Sequence, residues 1–206
     1  MDGAPSAARG TDVDIEEALP FARRLDWRFL LPDAELTDVA YVGAGSGTLL
    51  RALRVFTRGV TVVPPGGPLA GTPPCLHDVV VVEAPSRADL HRAGALLRPG
   101  GWLYAEVARL VTGTRSERWR HPEAYAASAR AAGLTGVSLH CHWRTFDSCT
   151  KIVPVHDGTA WAFLLEASAS GWRARTSGAI GRRLARSGTL GWLMPCFSVV
   201  AQKPVR

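Results

Sequence analysis

The stretch VAYVGAGSGTLLRALR, residues 39–54, decides how this chain is read. It opens on a short apolar run, Val39 to Val42. Glycines follow at alternate positions, Gly43, Gly45 and Gly47. Then Leu49, Leu50, Leu53 and Val55 recur with helical spacing between Arg51 and Arg54. Strand, glycine turn and helix in that order make a nucleoside or dinucleotide site. The glycines let a ligand approach the main chain, and the helix start offers unpaired N–H groups.

The spacing separates two ligand classes. A dinucleotide fingerprint needs GxGxxG. This chain has GxGxG with Thr48 next. That pattern resembles motif I of the class I S-adenosylmethionine-dependent methyltransferases, hydrophobic–acid–hydrophobic–GxGxG. The acid's place is taken by Tyr41. A second match lies downstream. HDVVVVEAP, residues 77–85, reads as a strand buried on both faces. A helical segment with Leu90, Ala93, Leu96 and Leu97 follows, then Arg98-Pro99-Gly100-Gly101 and a strand from Trp102 to Val107. Helix, RPGG turn and strand resemble the same family. So does the helix from Pro122 that ends at Gly133 before the strand Gly136–Trp143.

The resemblance implies an α/β, Rossmann-like methyltransferase fold with a mainly parallel sheet flanked by helices. About six strands are expected. Between Val63 and Asp78 the segment PPGGPLAGTPPCLH has too many prolines and glycines for the family's usual helix and third strand. The last two strands, 136–143 and 196–203, should pair antiparallel, as the family's do. Residues 144–195 read as a helical insertion or cap. Its segment 172–193 is basic and amphipathic, and three readings stay open for it: a substrate lid, a membrane-surface contact, or a hairpin packed on the sheet. In residues 13–24, helix-forming pieces are interrupted by Pro20. Residues 1–12 read as a flexible tail, and 13–206 as a single methyltransferase-like domain.

Composition sets bounds. At 206 residues, 47% apolar and 20% charged, the chain is globular and has enough residues for a sizeable core. No apolar run reaches the roughly eighteen residues of a membrane span. The N-terminus lacks a basic start followed by an apolar core, so no secretory signal is read there. Four scattered cysteines without a CxxC pair read as free thiols of a cytoplasmic protein. The net charge of +6 is carried almost wholly by arginine and follows the general Arg/Ala/Gly/Pro bias. No specific nucleic-acid partner is expected, and the oligomeric state is not encoded legibly.

Site residues follow from the resemblance. The cofactor, S-adenosylmethionine, would lie against Gly43, Ala44, Gly45, Ser46 and Gly47, with Pro64 after the second strand and Glu83 after the fourth. Catalytic candidates at or near the ends of strands are Glu83, His140 and His142, with Glu106 beside them. His140 and His142 share a strand face, but no metal is expected. The second strand ends in Pro64-Pro65-Gly66-Gly67, without the acid that holds the ribose hydroxyls in the family. Cofactor binding is therefore expected to be weak or lost. Two functions remain open. One is methyl transfer to a small molecule such as a sugar or natural-product intermediate. The other is a methyltransferase-like binding or accessory protein, or one running a different reaction in the same pocket.

Overall fold

The structure is a computed structural model describing residues 15–67, 76–108, 121–167, 179–181, 183–184, 186–187 and 195–205. The expected tail at 1–12, most of the basic segment 172–193 and residues 68–75 of the proline-rich interval lie outside them.

In chain order the elements are α1 (Ile15–Arg24), a 3-10 turn (Asp26–Leu30), β1 (Val39–Val42), α2 (Thr48–Phe56), β2 (Val60–Val63) and β3 (His77–Glu83). Then come α3 (Arg87–Leu96), β4 (Leu97–Ala108), α4 (Pro122–Ala131), β5 (Thr135–His142), β6 (Ile152–Pro154), α5 (Gly158–Ala167) and β7 (Cys196–Gln202). The seven strands form one sheet in the order β2-β1-β3-β4-β7-β5-β6. The β2–β1, β1–β3 and β3–β4 pairs are parallel, and β7 runs antiparallel to both β4 and β5.

Two faces make two cores. The valines and leucines of one face, with Ala40, Val80, Leu103 and Val199, pack beneath α3, α4 and α5. The other face, with Val39, Tyr41, Val81 and Tyr104, packs beneath the N-terminal segment and α2. That second face turns polar toward the strand ends. Glu83, Glu106, Ser198 and His140 stand in register across four neighbouring strands.

Three local features differ from the sequence reading. The sheet has a seventh strand, β6, antiparallel to β5. Three residues ending in proline are too short to show a period of two. Helix α1 runs through Pro20. Burial of Arg24 and Leu25 at its C-terminal end compensates for the one hydrogen bond that proline removes. The RPGG turn lies inside β4 as an irregularity: His77 pairs with Leu97, and two residues later Val79 pairs with Trp102. Of the proline-rich interval, residues 64–67 and Leu76 are outside any helix or strand while His77 already belongs to β3, and among the described residues β2 has a strand neighbour on one side only.

The RPGG irregularity explains its second glycine. A Cβ on Gly101 would lie 3.0 Å from the carbonyl oxygens of Arg98, Asp78 and His77. Gly101→Ala should therefore cost roughly 1–3 kcal/mol, as overpacking against backbone does. Urea denaturation checks this, and a midpoint equal to the parent's would show that the β3–β4 irregularity is soft.

Candidate active site

A cavity of about 530 Å³ opens at the C-terminal ends of β3 and β4. Its walls include Gly47 from the glycine turn, Thr48 and Arg51 from α2, Glu83 and Glu106 from the sheet, and the loop 144–147 after β5. This is the edge at which open α/β sheets bind ligands. Among the described residues, two non-glycine residues have left-handed backbones, Ala84 (φ 49°) and Arg144 (φ 82°). Both line this cavity. Such conformations cost about 1–3 kcal/mol each and gather at functional sites.

The cavity floor is a charge network, buried at Arg24 and Glu106 and exposed at Asp147. Arg24, from the end of α1, donates from Nη1 to Glu106 Oε1 at 2.6 Å and from Nη2 to Glu106 Oε2 at 2.5 Å. Its Nε donates to Asp147 Oδ1 at 2.9 Å, and Thr48 Oγ1 donates to the same oxygen. The Tyr104 hydroxyl donates to Glu106 Oε1 at 2.9 Å, while its ring stacks on Trp27 with centroids 3.9 Å apart. Burial works against the charge on Arg24, but the two-pronged contact with Glu106 outweighs it and keeps the guanidinium charged. Burial pushes the Glu106 carboxyl up, opposed by Arg24 and the Tyr104 hydroxyl.

The glycine turn has an open part and a covered part. Gly45 and Gly47 have positive φ (77° and 121°). A Cβ on Gly45 would meet nothing within 4 Å, and one on Gly47 would lie 3.8 Å from Glu83 Oε1. Ala44 before Gly45 and Ser46 after it are exposed. No side chain caps the start of α2, and its first turn carries no acid. Gly43 is different. A Cβ there would fall 2.5 Å from the Tyr41 ring and hydroxyl. Tyr41, fully buried, lays its ring over Gly43 and donates its hydroxyl to Glu83 Oε2. Burial, then the Glu83 carboxylate, raises the phenol well above its ordinary range.

Of the residues singled out in the sequence, Gly47 and Glu83 line the cavity, and so does Glu106. Gly43 lies beneath Tyr41, with Ala44, Gly45 and Ser46 leading to Gly47 along the turn. Pro64 is exposed, and its carbonyl accepts from Arg92 Nη2 at 3.1 Å, tying the end of β2 to α3. His140 and His142 stand in the sheet beside the network and do not line the cavity. His142 Nε2 lies 2.9 Å from Ser198 Oγ and 3.5 Å from the Tyr104 hydroxyl. His140 Nδ1 is buried without a hydrogen-bond partner. Arg24, Arg51, Thr48 and Arg144 were not found by sequence reasoning. Nothing local marks them out in an arginine-rich chain.

The comparisons bear on the fold. No protein-family model matches the chain, and no curated protein does. A solved S-adenosylmethionine-dependent methyltransferase from Archaeoglobus fulgidus superposes with a TM-score of 0.52 at 12% identity, covering 89% of this chain and 94% of that one. A Thermotoga maritima S-adenosylmethionine-dependent methyltransferase, described as a possible histamine N-methyltransferase, gives 0.49 at 11% identity, covering 89% of each chain. Haemonchus contortus phosphoethanolamine N-methyltransferase 2, solved with S-adenosyl-L-methionine, gives 0.48 at 14% identity over 92% of this chain. The chain spans only 53% of that protein's length. The fold is that of the class I S-adenosylmethionine-dependent methyltransferases. Among the described residues no helix is long and apolar enough to cross a membrane.

Arg24→Met leaves Glu106 buried without its cation and should destabilise by roughly 3–5 kcal/mol. Adding Glu106→Gln should recover part of the loss in a double-mutant cycle, and additive losses would show that the pair is not coupled. The histidines set an acid limit. Burial lowers His140 from 6.5 to about 4. Burial, then the charge of Arg24, lowers His142 from 6.5 to about 3. Below pH 6.5 the unfolded chain binds protons that the folded chain does not, so stability is lost as pH falls. Between pH 7 and pH 5 each histidine should contribute a loss of roughly 1.5–2 kcal/mol, at about 1.4 kcal/mol per unit. His140→Phe/His142→Phe should flatten this difference in urea midpoints. An unchanged pH dependence in that variant would place both rings in water.

Proposed function

We propose that the chain is an S-adenosylmethionine-dependent methyltransferase acting on a small molecule. The observation that supports this most is the coincidence of three features at one edge. They are the open Gly45–Gly47 turn with its uncapped helix, the cavity of about 530 Å³ beside it, and the two left-handed residues in that cavity's wall. The volume suits a compact acceptor such as a sugar or natural-product intermediate. A cytoplasmic location fits an enzyme that uses a cytoplasmic cofactor.

The residues fit the cofactor in part. Gly45 and Gly47 leave room against the main chain, and the α2 start offers N–H donors. When bound there, S-adenosylmethionine supplies a methyl group on a sulfonium. The chain's own contribution is placement and a proton acceptor. Glu83 uses Oε2 to accept from Tyr41 and leaves Oε1 on the side of Gly47, where it can take the proton of an acceptor hydroxyl or amine. Phe146, packed under Arg24 at 5.4 Å, helps to close the floor against water.

A second reading has its own support. The Tyr41 ring covers Gly43, and no carboxylate stands in residues 64–67 after β2. Both disfavour a nucleoside ligand and favour a binding or accessory protein, or a different reaction in the pocket.

Calorimetric titration of S-adenosylhomocysteine separates the readings. The parent should bind weakly. Tyr41→Leu, which keeps apolar bulk but uncovers Gly43 and frees Glu83, should bind about tenfold or more tighter, since a charge-assisted hydrogen bond is worth roughly 1.5–3 kcal/mol. No binding by either protein would leave only the second reading. A sub-micromolar dissociation constant for the parent would remove it.

A further inference from the structure

The charged side chains around the cavity divide into two groups. Arg24, Glu106 and Asp147 hold one another, and Glu83 is held by the Tyr41 hydroxyl. Arg51 and Arg144 are different. Both line the cavity, both are exposed, and neither has an acidic partner among the described residues. The Arg51 guanidinium lies over the Phe21 ring, 6.0 Å from its centroid. Arg51 lies one turn into α2, the helix whose uncapped start opens on the same cavity. Arg144 is held at the wall by a left-handed backbone, a conformation that an arginine adopts only where its surroundings impose it. Glu83 and Glu106 stand at the strand ends, and the unpaired guanidinium groups stand on α2 and the loop after β5, where the Asp147 carboxylate is already held by Arg24 and Thr48.

We propose that Arg51 and Arg144 form an anion-binding site for the acceptor, which is a small molecule carrying a carboxylate or phosphate and, at its other end, a hydroxyl or amine directed at Glu83. Guanidinium forks match the planar or tetrahedral oxygens of both anions, and the α2 N–H groups add donors on the same side. The carboxylate floor repels the anionic end and accepts from the donor end, so the ligand has one orientation. This assignment rests on the methyltransferase reading for the identity of the ligand as an acceptor, but the anion site is testable without any cofactor.

The probes are inorganic phosphate and malonate, titrated calorimetrically at low ionic strength into the full chain. The parent should bind at least one of them in the millimolar range, and the preferred probe tells phosphate from carboxylate. Arg51→Gln and Arg144→Gly should each weaken binding about tenfold. Arg144→Gly also relieves the left-handed backbone, so this variant should fold at least as stably as the parent. Arg54→Gln, on α2 but outside the cavity wall, should bind as the parent does. Equal binding by parent and both cavity variants, or no binding by the parent, would overturn the site. S-adenosylhomocysteine titrated into the same variants separates the two sources of a carboxylate. If its affinity falls with Arg51 and Arg144, they serve the cofactor and the acceptor assignment is overturned. If it is unchanged while the anion is lost, the assignment stands. If the parent binds anion but neither it nor Tyr41→Leu binds S-adenosylhomocysteine, the methyltransferase reading fails and the anion site remains.

Discussion

The buried contact between Arg24 and Glu106 is the constraint on which the site depends. The two residues are 82 apart in sequence and meet through two parallel hydrogen bonds. Each charge is costly to bury alone, and the pair is tolerable only because the fork geometry satisfies both. The contact fixes the end of α1 against the end of β4. It also places Trp27 on Tyr104 and gives Asp147 a cation to hold. The cavity wall contributed by the loop 144–147 is therefore positioned by a residue at the far end of the chain. An apolar pair would pack as well there, but it would leave nothing to hold the Asp147 carboxylate.

The sheet separates packing from chemistry. The face under α3, α4 and α5 carries the larger apolar cluster. The face under α1 and α2 is apolar only toward the strand starts and carries Glu83, Glu106, Ser198 and His140 in one row at the other end. His140 stands in that row and His142 two residues beyond it, and neither lines the cavity. Burial is the first cause of their lowered basicity.

Most of the fold was legible in the sequence because its signals are local. The valine run of β3, the RPGG turn and the Pro122-to-Gly133 helix each lie within a dozen residues. Strand β6 was not legible, since three residues define no period. The glycine turn of the site was legible for the same local reason. The cavity was not. It is closed by Arg24 and by a loop whose Asp147 meets Thr48 from 99 residues away. Nor did any motif announce the left-handed Arg144, because the residue type says nothing about a backbone angle imposed by its surroundings.

The tyrosine in place of the motif's acid is a relocation of charge as well as a loss. Tyr41 is in register with Val81 on the adjacent strand, and Glu83 lies two residues further along the same face. The phenol bridges that step and donates to the carboxylate. Negative charge thus remains at the end of the sheet, one strand over from where the family pattern puts it. The hydroxyl that binds Glu83 also fixes its rotamer, leaving the second oxygen near Gly47 and the cavity. The same ring that orients Glu83 covers Gly43. Orienting the carboxylate and admitting a ligand over the first glycine are therefore opposed demands on one side chain. Any ligand that uses the full turn must supply, through its own contacts with Glu83, at least what the Tyr41 hydroxyl gives up.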